Sequence, residues 1–296
     1  MFCSIIVNGQ QSPTEHSHEV VPWWSFTKTV LAAAALTLVR DRLIKLDDLV
    51  PGREFSLRQM LKHQAGLADY SELKEYHAAV AGQQTPWPAE EMMQRLDGQR
   101  LRYAPGTGWR YSNVGYMLVS NLIEQATGLC IDEALAQRVF SPLGLTRVRL
   151  MKSREDLDGV HLESIGSYDP GWVYHGLLVG PVSEAALMLN RLLTADLLPG
   201  SLLKQMRDSI ALGGPLAGRP WAAPGYGLGL MVGKTHSAHL FLGHTGVGPG
   251  SVIAVYHCAD GDHEATCAVA GIGAEEGLVE GRAAERLIAA LGAIRS

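Results

Sequence analysis

The stretch Ser251–Ile272, "SVIAVYHCADGDHEATCAVAGI", contains two apolar runs separated by a short polar segment. Apolar runs of this length on either side of turn residues predict two paired antiparallel strands. Two preceding runs, "YGLGLMVG" at 226–233 and "AHLFLGH" at 238–244, have the same character. Together the four runs predict an antiparallel meander near the end of the chain.

One further strand is predicted at the start of the chain and one helix at its end. Ser4–Val7 is mostly apolar and leads into Asn-Gly, a turn dipeptide. Residues 276–294, "EGLVEGRAAERLIAALGAI", predict the closing helix. Because strands occur near both ends of the chain, we expect one sheet that is assembled from the two ends.

The middle of the chain is predicted to be mostly helical, with an irregular segment at about 145–180. Ser56 and Ser183 are the predicted N-caps of two of these helices. Apolar residues at helical spacing, bounded by turn residues, predict helices at about 25–42, 56–66, 113–128, 131–139 and 182–193.

Length and element order indicate one large domain. A chain of 296 residues, 47% of them hydrophobic, can bury a sizeable core. The predicted fold is α+β, an α/β sandwich with an antiparallel sheet, flanking helices and a helical subdomain. We expect a single domain over residues 1–296, with the sheet in about 1–24 and 220–296 and the mostly helical part in about 25–219.

Charge and hydropathy restrict the classes of binding partner that we expect. The formal net charge is -5, and no long run of Lys or Arg occurs, so neither nucleic acid nor an anionic membrane is expected as a partner. The first residues lack a basic region and a long apolar run, which predicts a cytoplasmic protein. An export signal upstream of this sequence remains an alternative.

The four cysteines, Cys3, Cys130, Cys258 and Cys267, are dispersed and form no CxxC pair. This spacing argues against a zinc site, and neither a metal nor a cofactor is expected. Cys258 and Cys267 flank the predicted turn and could meet across it, but buried free thiols are the favoured interpretation.

The tetrapeptide Ser25-Phe26-Thr27-Lys28 opens an apolar stretch that runs to Val39. Positions i and i+3 share a helix face, so Lys28 is expected beside Ser25. The N-terminus of a buried helix favours developing negative charge, and a desolvated lysine can act as a base. Ser-x-x-Lys is also common by chance, and the alternative is an N-cap serine followed by a solvated lysine.

Two later segments favour the chemical interpretation: Tyr111-Ser112-Asn113 between a loop and a helix start, and His244-Thr245-Gly246 after an apolar run. SxxK, YxN and (K/H)TG in this order resemble the serine β-lactamase and penicillin-binding protein superfamily. The similarity covers about residues 20–260. It is greatest to the branch that contains class C β-lactamases, DD-peptidases and related carboxylesterases and aminopeptidases.

The resemblance implies that Ser25 attacks a carbonyl and forms an acyl-enzyme. Lys28 and Tyr111 would share the proton of Ser25, and which of them is the resting base stays open. A cationic Lys28 close to Tyr111 is expected to lower the pKa of the phenol.

Substrate-binding and orienting roles are implied for Asn113, His244, Thr245, Gly246 and Val247. Asn113 would orient Lys28 and the acyl amide, and the backbone N–H groups of Ser25 and Val247 would form the oxyanion hole. Gly at 246 would let a substrate backbone lie close to the strand.

His244 departs from class C β-lactamases, which usually have lysine at that position to hold a substrate carboxylate. A histidine with an ordinary pKa of ~6.5 would attract an anion more weakly and in a pH-dependent way. Trp24, Trp172 and His175 are further candidates for the wall of the substrate pocket.

These residues predict a serine hydrolase that acts through an acyl-enzyme on an ester or on an amide or peptide bond. A small molecule or a peptide is the expected substrate, and the sequence does not fix the oligomeric state. Two alternatives are a β-lactamase proper and a catalytically inactive binding module on the same scaffold.

Overall fold

The computed structural model describes residues 1–12, 14, 16–163 and 168–295 of the chain. Its strands are β1 (Phe2–Val7), β2 (Gln10–Ser12), β3 (Val20–Pro22), β4 (Arg149–Met151), β5 (Leu177–Pro181), β6 (Ile210–Ala211), β7 (Trp221–Ala223), β8 (Gly225–Tyr226), β9 (Met231–Thr235), β10 (Leu240–Gly248), β11 (Ser251–Asp260) and β12 (His263–Ile272). The α-helices are α1 (Thr27–Arg40), α2 (Leu57–Leu61), α3 (Lys74–Ala81), α4 (Ala89–Arg95), α5 (Asn113–Thr127), α6 (Ile131–Leu135), α7 (Val182–Thr194), α8 (Gly200–Arg207) and α9 (Glu276–Arg295).

The central sheet is assembled from the two ends of the chain, as predicted. Its strand order is β2-β1-β12-β11-β10-β9-β8-β6, with β7 also paired to β9. The first strand pairs antiparallel with the last, and Phe2 lies opposite Ala270. The meander β10–β11–β12 forms the middle of this sheet, which confirms the prediction from its apolar runs.

Side chains along β11 alternate between the two faces of the sheet. Ile253 and Val255 belong to the core beneath α1 and α7, whereas Val252, Ala254 and Tyr256 belong to the core beneath α9. Because both faces are covered by helices, β11 is apolar on both sides. The result is the α+β sandwich predicted from the sequence.

Helix α1 is buried on all sides, from Thr27 to Leu38. Its alanine run permits close approach: a Cβ on Gly229 would lie 2.3 Å from the Cβ of Ala32. The hydroxyl of Thr29 donates to the carbonyl of Gly229 at 2.7 Å. This contact fixes the first turns of α1 against the loop that precedes β9.

Two helix predictions need correction. Ser56 caps α2 in a capping box with Gln59, but the helix ends at Leu61 and not near residue 66. Ser183 is not an N-cap, because α7 begins at Val182 directly after Pro181. The Ser183 N–H instead donates to the carbonyl of Ser17 at 2.8 Å.

A second sheet, β3-β5-β4, lies partly within the segment that was predicted to be irregular. Its strands are only three to five residues long, too short to show a clear alternation of apolar and polar residues. This sheet matters for the site, because β3 ends at Pro22 and leads into the residues around Ser25.

Register excludes a direct meeting of Cys258 and Cys267 across the hairpin. Cys258 lies opposite Ala265, and Cys267 lies opposite Tyr256. Both are buried free thiols, which confirms the favoured interpretation. The neighbour of the Cys267 sulfur is that of Cys3, 3.9 Å away on the adjacent strand.

Among the described residues, no helix has both the length and the apolar character that crossing a bilayer requires.

Candidate active site

Ser25 lies in a short 3₁₀ turn, Trp24–Phe26, that leads directly into α1. Trp24 has a φ of +41°, in the left-handed region that is costly for a large side chain. The Trp24 indole N–H donates to the hydroxyl of Ser251 at 2.9 Å, and the ring packs edge-on against Tyr168. These contacts hold the turn so that the partly exposed Ser25 projects from the mouth of a buried helix.

The three predicted catalytic side chains meet at the hydroxyl oxygen of Ser25. Lys28 Nζ lies 3.1 Å from Ser25 Oγ, and the Tyr111 hydroxyl donates to the same oxygen at 2.9 Å. Tyr111 comes from the chain just before α5, whose N-cap is Ser112. Residues 86 positions apart are thus brought to one oxygen atom.

Lys28 is completely buried. Burial lowers the pKa of Lys28 to about 7, and the charge of Asp69 opposes the shift only in part. A substantial fraction of Lys28 is therefore a neutral amine at neutral pH, with a lone pair that can accept a proton. This environment excludes the alternative of a solvated lysine in the first turn.

Tyr111 behaves differently from the prediction. Burial raises the pKa of Tyr111 well above its ordinary range, and the neighbouring Tyr226 adds to the effect. Lys28 Nζ lies over the ring face, 5.1 Å from its centroid, and does not hydrogen-bond the hydroxyl. The phenol is therefore a hydrogen-bond donor at neutral pH rather than an activated phenolate.

Asn113 makes no hydrogen bond to Lys28 among the described residues. Its side-chain amide donates to both carboxylate oxygens of Asp69, at 3.0 and 3.3 Å. The backbone N–H of Asn113 also donates to Asp69, so the pair anchors the start of α5. The orienting role implied for Asn113 therefore has no direct hydrogen bond to Lys28 behind it among the described residues, and Asn113 borders a cavity beside Ser25.

His175 makes the second hydrogen bond of Lys28. Its Nε2 atom lies 3.1 Å from Lys28 Nζ, and the ring is buried. Burial and the nearby Lys28 hold the pKa of His175 well below its usual value, so the imidazole is neutral. His175 also borders the smaller cavity described below, as predicted for a pocket residue.

His244 is buried and neutral. Burial lowers the pKa of His244 to about 3, with the charge of Lys28 as the next cause. Its Nε2 atom is 2.9 Å from the Tyr226 hydroxyl. The predicted pH-dependent attraction of anions is therefore absent near neutral pH, because the ring carries no charge there.

Gly246 is required by the nucleophile turn. A Cβ at this position would lie 2.3 Å from the carbonyl oxygen of Trp23 and 2.8 Å from the Cβ of Trp24. The sequence predicted that this glycine makes room for a substrate. The structure gives a different physical reason, since the space is occupied by the chain that carries Ser25.

Two cavities meet at Ser25 and Val247. The larger has a volume of about 500 Å³, and the smaller has about 230 Å³. Thr245 borders the larger one, whereas Trp24 borders the smaller. Trp172 borders neither, because it is buried in the core against Tyr76 and Trp87.

Several polar residues of the site were not singled out from the sequence. Arg219 and Glu276 form an ion pair of 3.0 Å in the wall of the larger cavity. Arg219 also pairs with Glu280, which is fully buried and accepts from the indole of Trp221. These charges lie on the strand–turn segment before β7 and on α9, where no sequence motif marks them.

His63 is another residue that was missed. It is buried and packs against Tyr111 and Tyr226 at ring-centroid distances of 4.4 and 4.7 Å. Its Nδ1 atom accepts from the Ser112 N–H, which fixes the backbone next to Tyr111. Its φ of +58° marks the sharp exit from α2, a turn that the sequence analysis assigned to a longer helix.

Sequence comparison finds two kinds of curated relative. A D-aminopeptidase of Brucella anthropi is 27% identical over 224 residues, which is 74% of this chain and 42% of the relative. A lovastatin esterase of Penicillium rubens is 26% identical over 196 residues, 56% of this chain and 48% of the relative. The chain spans about half the length of the curated relatives it matches.

A similar fold is found in the D-amino acid amidase of Ochrobactrum anthropi. That structure, a complex with L-phenylalanine, matches with a TM-score of 0.78 at 20% sequence identity, over 99% of this chain and 93% of the amidase. At this identity the likeness concerns the fold alone. The sequence model of the family described as Beta-lactamase matches residues 7–271, from β1 to β12. The chain belongs to the beta-lactamase family.

Proposed function

We propose that this protein is a serine hydrolase that cleaves an ester or amide bond through an acyl-enzyme on Ser25. The observation that carries the proposal is the position of Ser25 Oγ between Lys28 Nζ at 3.1 Å and the Tyr111 hydroxyl at 2.9 Å. A fully buried amine with a pKa of about 7 is suited to accept a proton at neutral pH.

In acylation, Ser25 Oγ attacks the carbonyl carbon while its proton moves to Lys28 Nζ. The negative charge that develops on the carbonyl oxygen would be held by the backbone N–H groups of Ser25 and Val247. Both residues border the two cavities, which supports this role. The Tyr111 hydroxyl would pass a proton to the leaving alcohol or amine as the C–O or C–N bond breaks. The ammonium of Lys28 would then return a proton to Tyr111, so that the amine is neutral and the phenol protonated at the end of acylation.

In deacylation, a water molecule replaces the leaving group. Lys28, neutral again, accepts a proton from the water as its oxygen attacks the acyl carbon. The tetrahedral intermediate collapses, the bond to Ser25 Oγ breaks, and Lys28 Nζ returns the proton it took from water to Ser25 Oγ. The products are a carboxylic acid and the alcohol or amine released in the first step.

Electrostatics of the larger cavity favour esters and amides over β-lactam antibiotics. His244 is uncharged at neutral pH, and Arg219 is already paired with Glu276 and Glu280. The cavity therefore offers no uncommitted cation for a substrate carboxylate among the described residues. The names of the relatives, aminopeptidase, amidase and esterase, support the same substrate class, and β-lactamase activity and an inactive binding module are not favoured.

We also propose that residues 1–296 work as one domain. One hydrophobic core contains Ile6 from the first strand, Leu36 from α1 and Ala270 from the last strand. Ser25 lies in the turn after β3 of the small sheet, and Val247 lies in β10 of the central sheet. The candidate site therefore depends on both sheets.

The proposal predicts a substrate order. Wild-type protein is expected to hydrolyse short p-nitrophenyl esters and amino acid p-nitroanilides with a higher kcat/KM than nitrocefin, by a factor of at least ~10, because a substrate carboxylate lacks a free cation. Spectrophotometric turnover of the three substrates measures this. Nitrocefin as the best substrate would contradict the ester or amide assignment but not the acyl-enzyme.

A further inference from the structure

We infer that His175 is a positioning residue for the general base, with its Nε2 atom accepting a hydrogen bond from Lys28 Nζ and aiming the amine at Ser25 Oγ. This role rests on the proposed acyl-enzyme mechanism. It assigns to a histidine the task that the sequence analysis gave to Asn113.

The amino group of Lys28 is held by hydrogen bonds. Its Nζ atom has two partners among the described residues, Ser25 Oγ and His175 Nε2, each at 3.1 Å. Asn113 is committed to Asp69 and does not reach the amine. Among the described residues, His175 is therefore the hydrogen-bond partner, other than the nucleophile, that can orient the Lys28 amino group.

The protonation state of His175 suits a hydrogen bond from Lys28. A charged imidazole 3.1 Å from the amine would repel the ammonium that forms in acylation, and the buried setting keeps His175 neutral. With Nε2 accepting, the ring proton sits on Nδ1, which is buried and has no partner among the described residues. The ring can therefore accept from Lys28 without competing for the proton of Ser25.

The hydrogen bond from Lys28 to His175 becomes stronger during proton transfer. When Lys28 takes the proton of Ser25, the bond to His175 becomes an N–H⁺···N hydrogen bond, which is stronger than the bond to the neutral amine. An interaction that strengthens as the reaction proceeds lowers the barrier rather than only the energy of the bound state. His175 thus favours proton transfer without itself gaining or losing a proton.

Backbone hydrogen bonds fix the position of His175 relative to the turn that carries Ser25. His175 lies just before β5, at a turn closed by the Gly176 N–H donating to Val173 at 2.7 Å. Three residues after His175, the Leu178 N–H donates to the hydroxyl of Thr27 at 3.3 Å, and the Leu178 carbonyl accepts from the Trp23 N–H at 2.8 Å. The strand that positions His175 is therefore bonded to the residues on either side of Ser25.

Other groups around Lys28 set a background that replacement of His175 leaves in place. The carboxylate of Asp69 raises the pKa of Lys28. Among the described residues, Tyr111, Tyr116, His63 and His244 also face it. Against this background, loss of the His175 acceptor removes a partner of the ammonium form, so the pKa of Lys28 should fall.

The test is the pH dependence of labelling by a fluorophosphonate, which reports Ser25 reactivity without a chosen substrate. His175→Phe removes the acceptor and keeps a planar ring, whereas His175→Gln retains an acceptor at the position of Nε2. We expect His175→Phe to label about 10- to 100-fold more slowly at pH 8, with its acid limb shifted to lower pH. His175→Gln should recover most of the rate and the wild-type limb.

With folded variants, two outcomes would overturn the inference. One is an unshifted acid limb in His175→Phe together with a near wild-type rate, and another is a His175→Gln variant no better than His175→Phe. If circular dichroism shows that His175→Phe does not fold, His175→Gln is compared with the wild type instead. Loss or a shift of the acid limb in His175→Gln would contradict the role of the acceptor. Wild-type protein that is not labelled at all would defeat the proposed function itself, and this inference with it.

Discussion

At the scale of single residues, burial moves the pKa values of Lys28 and Tyr111 in opposite directions. The amine of Lys28 becomes easier to deprotonate, with a pKa of about 7, and the phenol of Tyr111 becomes harder to deprotonate. The desolvation penalty acts on the charged form of each group, and the charged forms have opposite signs. This favours Lys28 as the resting base and Tyr111 as a proton donor, a choice the sequence left open.

This assignment predicts the acid limb of the pH profile. Because only the neutral amine accepts a proton and the pKa of Lys28 is about 7, kcat/KM should rise with pH through about pH 7 and then level off. Lys28→Ala should lower kcat/KM by a factor of ~10² or more and abolish this limb. Hydrolysis of a p-nitrophenyl ester from pH 5 to 9 measures both, and an unchanged rate in Lys28→Ala would show that Lys28 is not the base.

The sequence indicated which residues approach Ser25, but not all of their partners. SxxK and YxN name side chains that come within hydrogen-bonding distance of one oxygen atom. The pairing of Asn113 with Asp69, and that of Lys28 with His175, depend on where loops cross in space. No local pattern encodes such crossings, so neither pairing could be predicted from the sequence.

At the scale of elements, the decisive contact is between β10 and the 3₁₀ turn that carries Ser25. Gly246 allows the strand to touch the carbonyl of Trp23, and Gly248 allows it to pack on the Trp24 ring, where a Cβ would lie 2.4 Å from the indole. The close approach brings Val247 to the same cavities as Ser25. The two glycines thus set the separation of the proposed oxyanion donors.

Gly246→Ala is therefore expected to harm both stability and reactivity. The added methyl would overlap the Trp23 carbonyl, so the variant should lose about 1–3 kcal/mol of unfolding free energy and label with fluorophosphonate at least ~10-fold more slowly. Urea denaturation and labelling kinetics measure these effects.

A matched control is available in α9. Gly281→Ala places a methyl where no atom lies within 4 Å, so it should be neutral or stabilise the helix by up to ~1 kcal/mol. Equal behaviour of the two variants would contradict the packing argument for Gly246.

Elements with a long periodic pattern were predictable, and short ones were not. Helix α5 runs from Asn113 to Thr127 and ends at Gly128 in the left-handed conformation, close to the prediction from its apolar spacing. Strands β3 and β4 have three residues each and are identified only by their pairing with β5. Helix α2 was predicted too long because the polar residues after Leu61 do not signal the turn at His63.

At the scale of the whole molecule, a completely buried lysine costs stability. In the unfolded chain Lys28 has its ordinary pKa of 10.5, whereas in the fold its pKa is about 7. Between these values the unfolded chain binds more protons than the folded one, so this residue opposes folding most at low pH. The cost fades as the pH rises toward 10.5.

Lys28→Met should therefore be inactive yet more stable than wild type, by at least ~1 kcal/mol at pH 7. Its advantage should shrink as the pH rises from about 7 toward 10, by up to ~1.4 kcal/mol per pH unit, because the wild type gains stability over this window. Urea titrations of both proteins at each of several pH values measure the difference in unfolding free energy, from which the contributions of the other ionisable groups cancel. A pH-independent difference would contradict a strongly lowered pKa of Lys28.

Formation of a covalent acyl-enzyme on Ser25 can be tested by intact-protein mass spectrometry after treatment with a fluorophosphonate. We expect one adduct per chain on the wild type, located at Ser25 by peptide mapping, and none on a folded Ser25→Ala variant. An unmodified wild type, or an adduct that persists in Ser25→Ala, would contradict it.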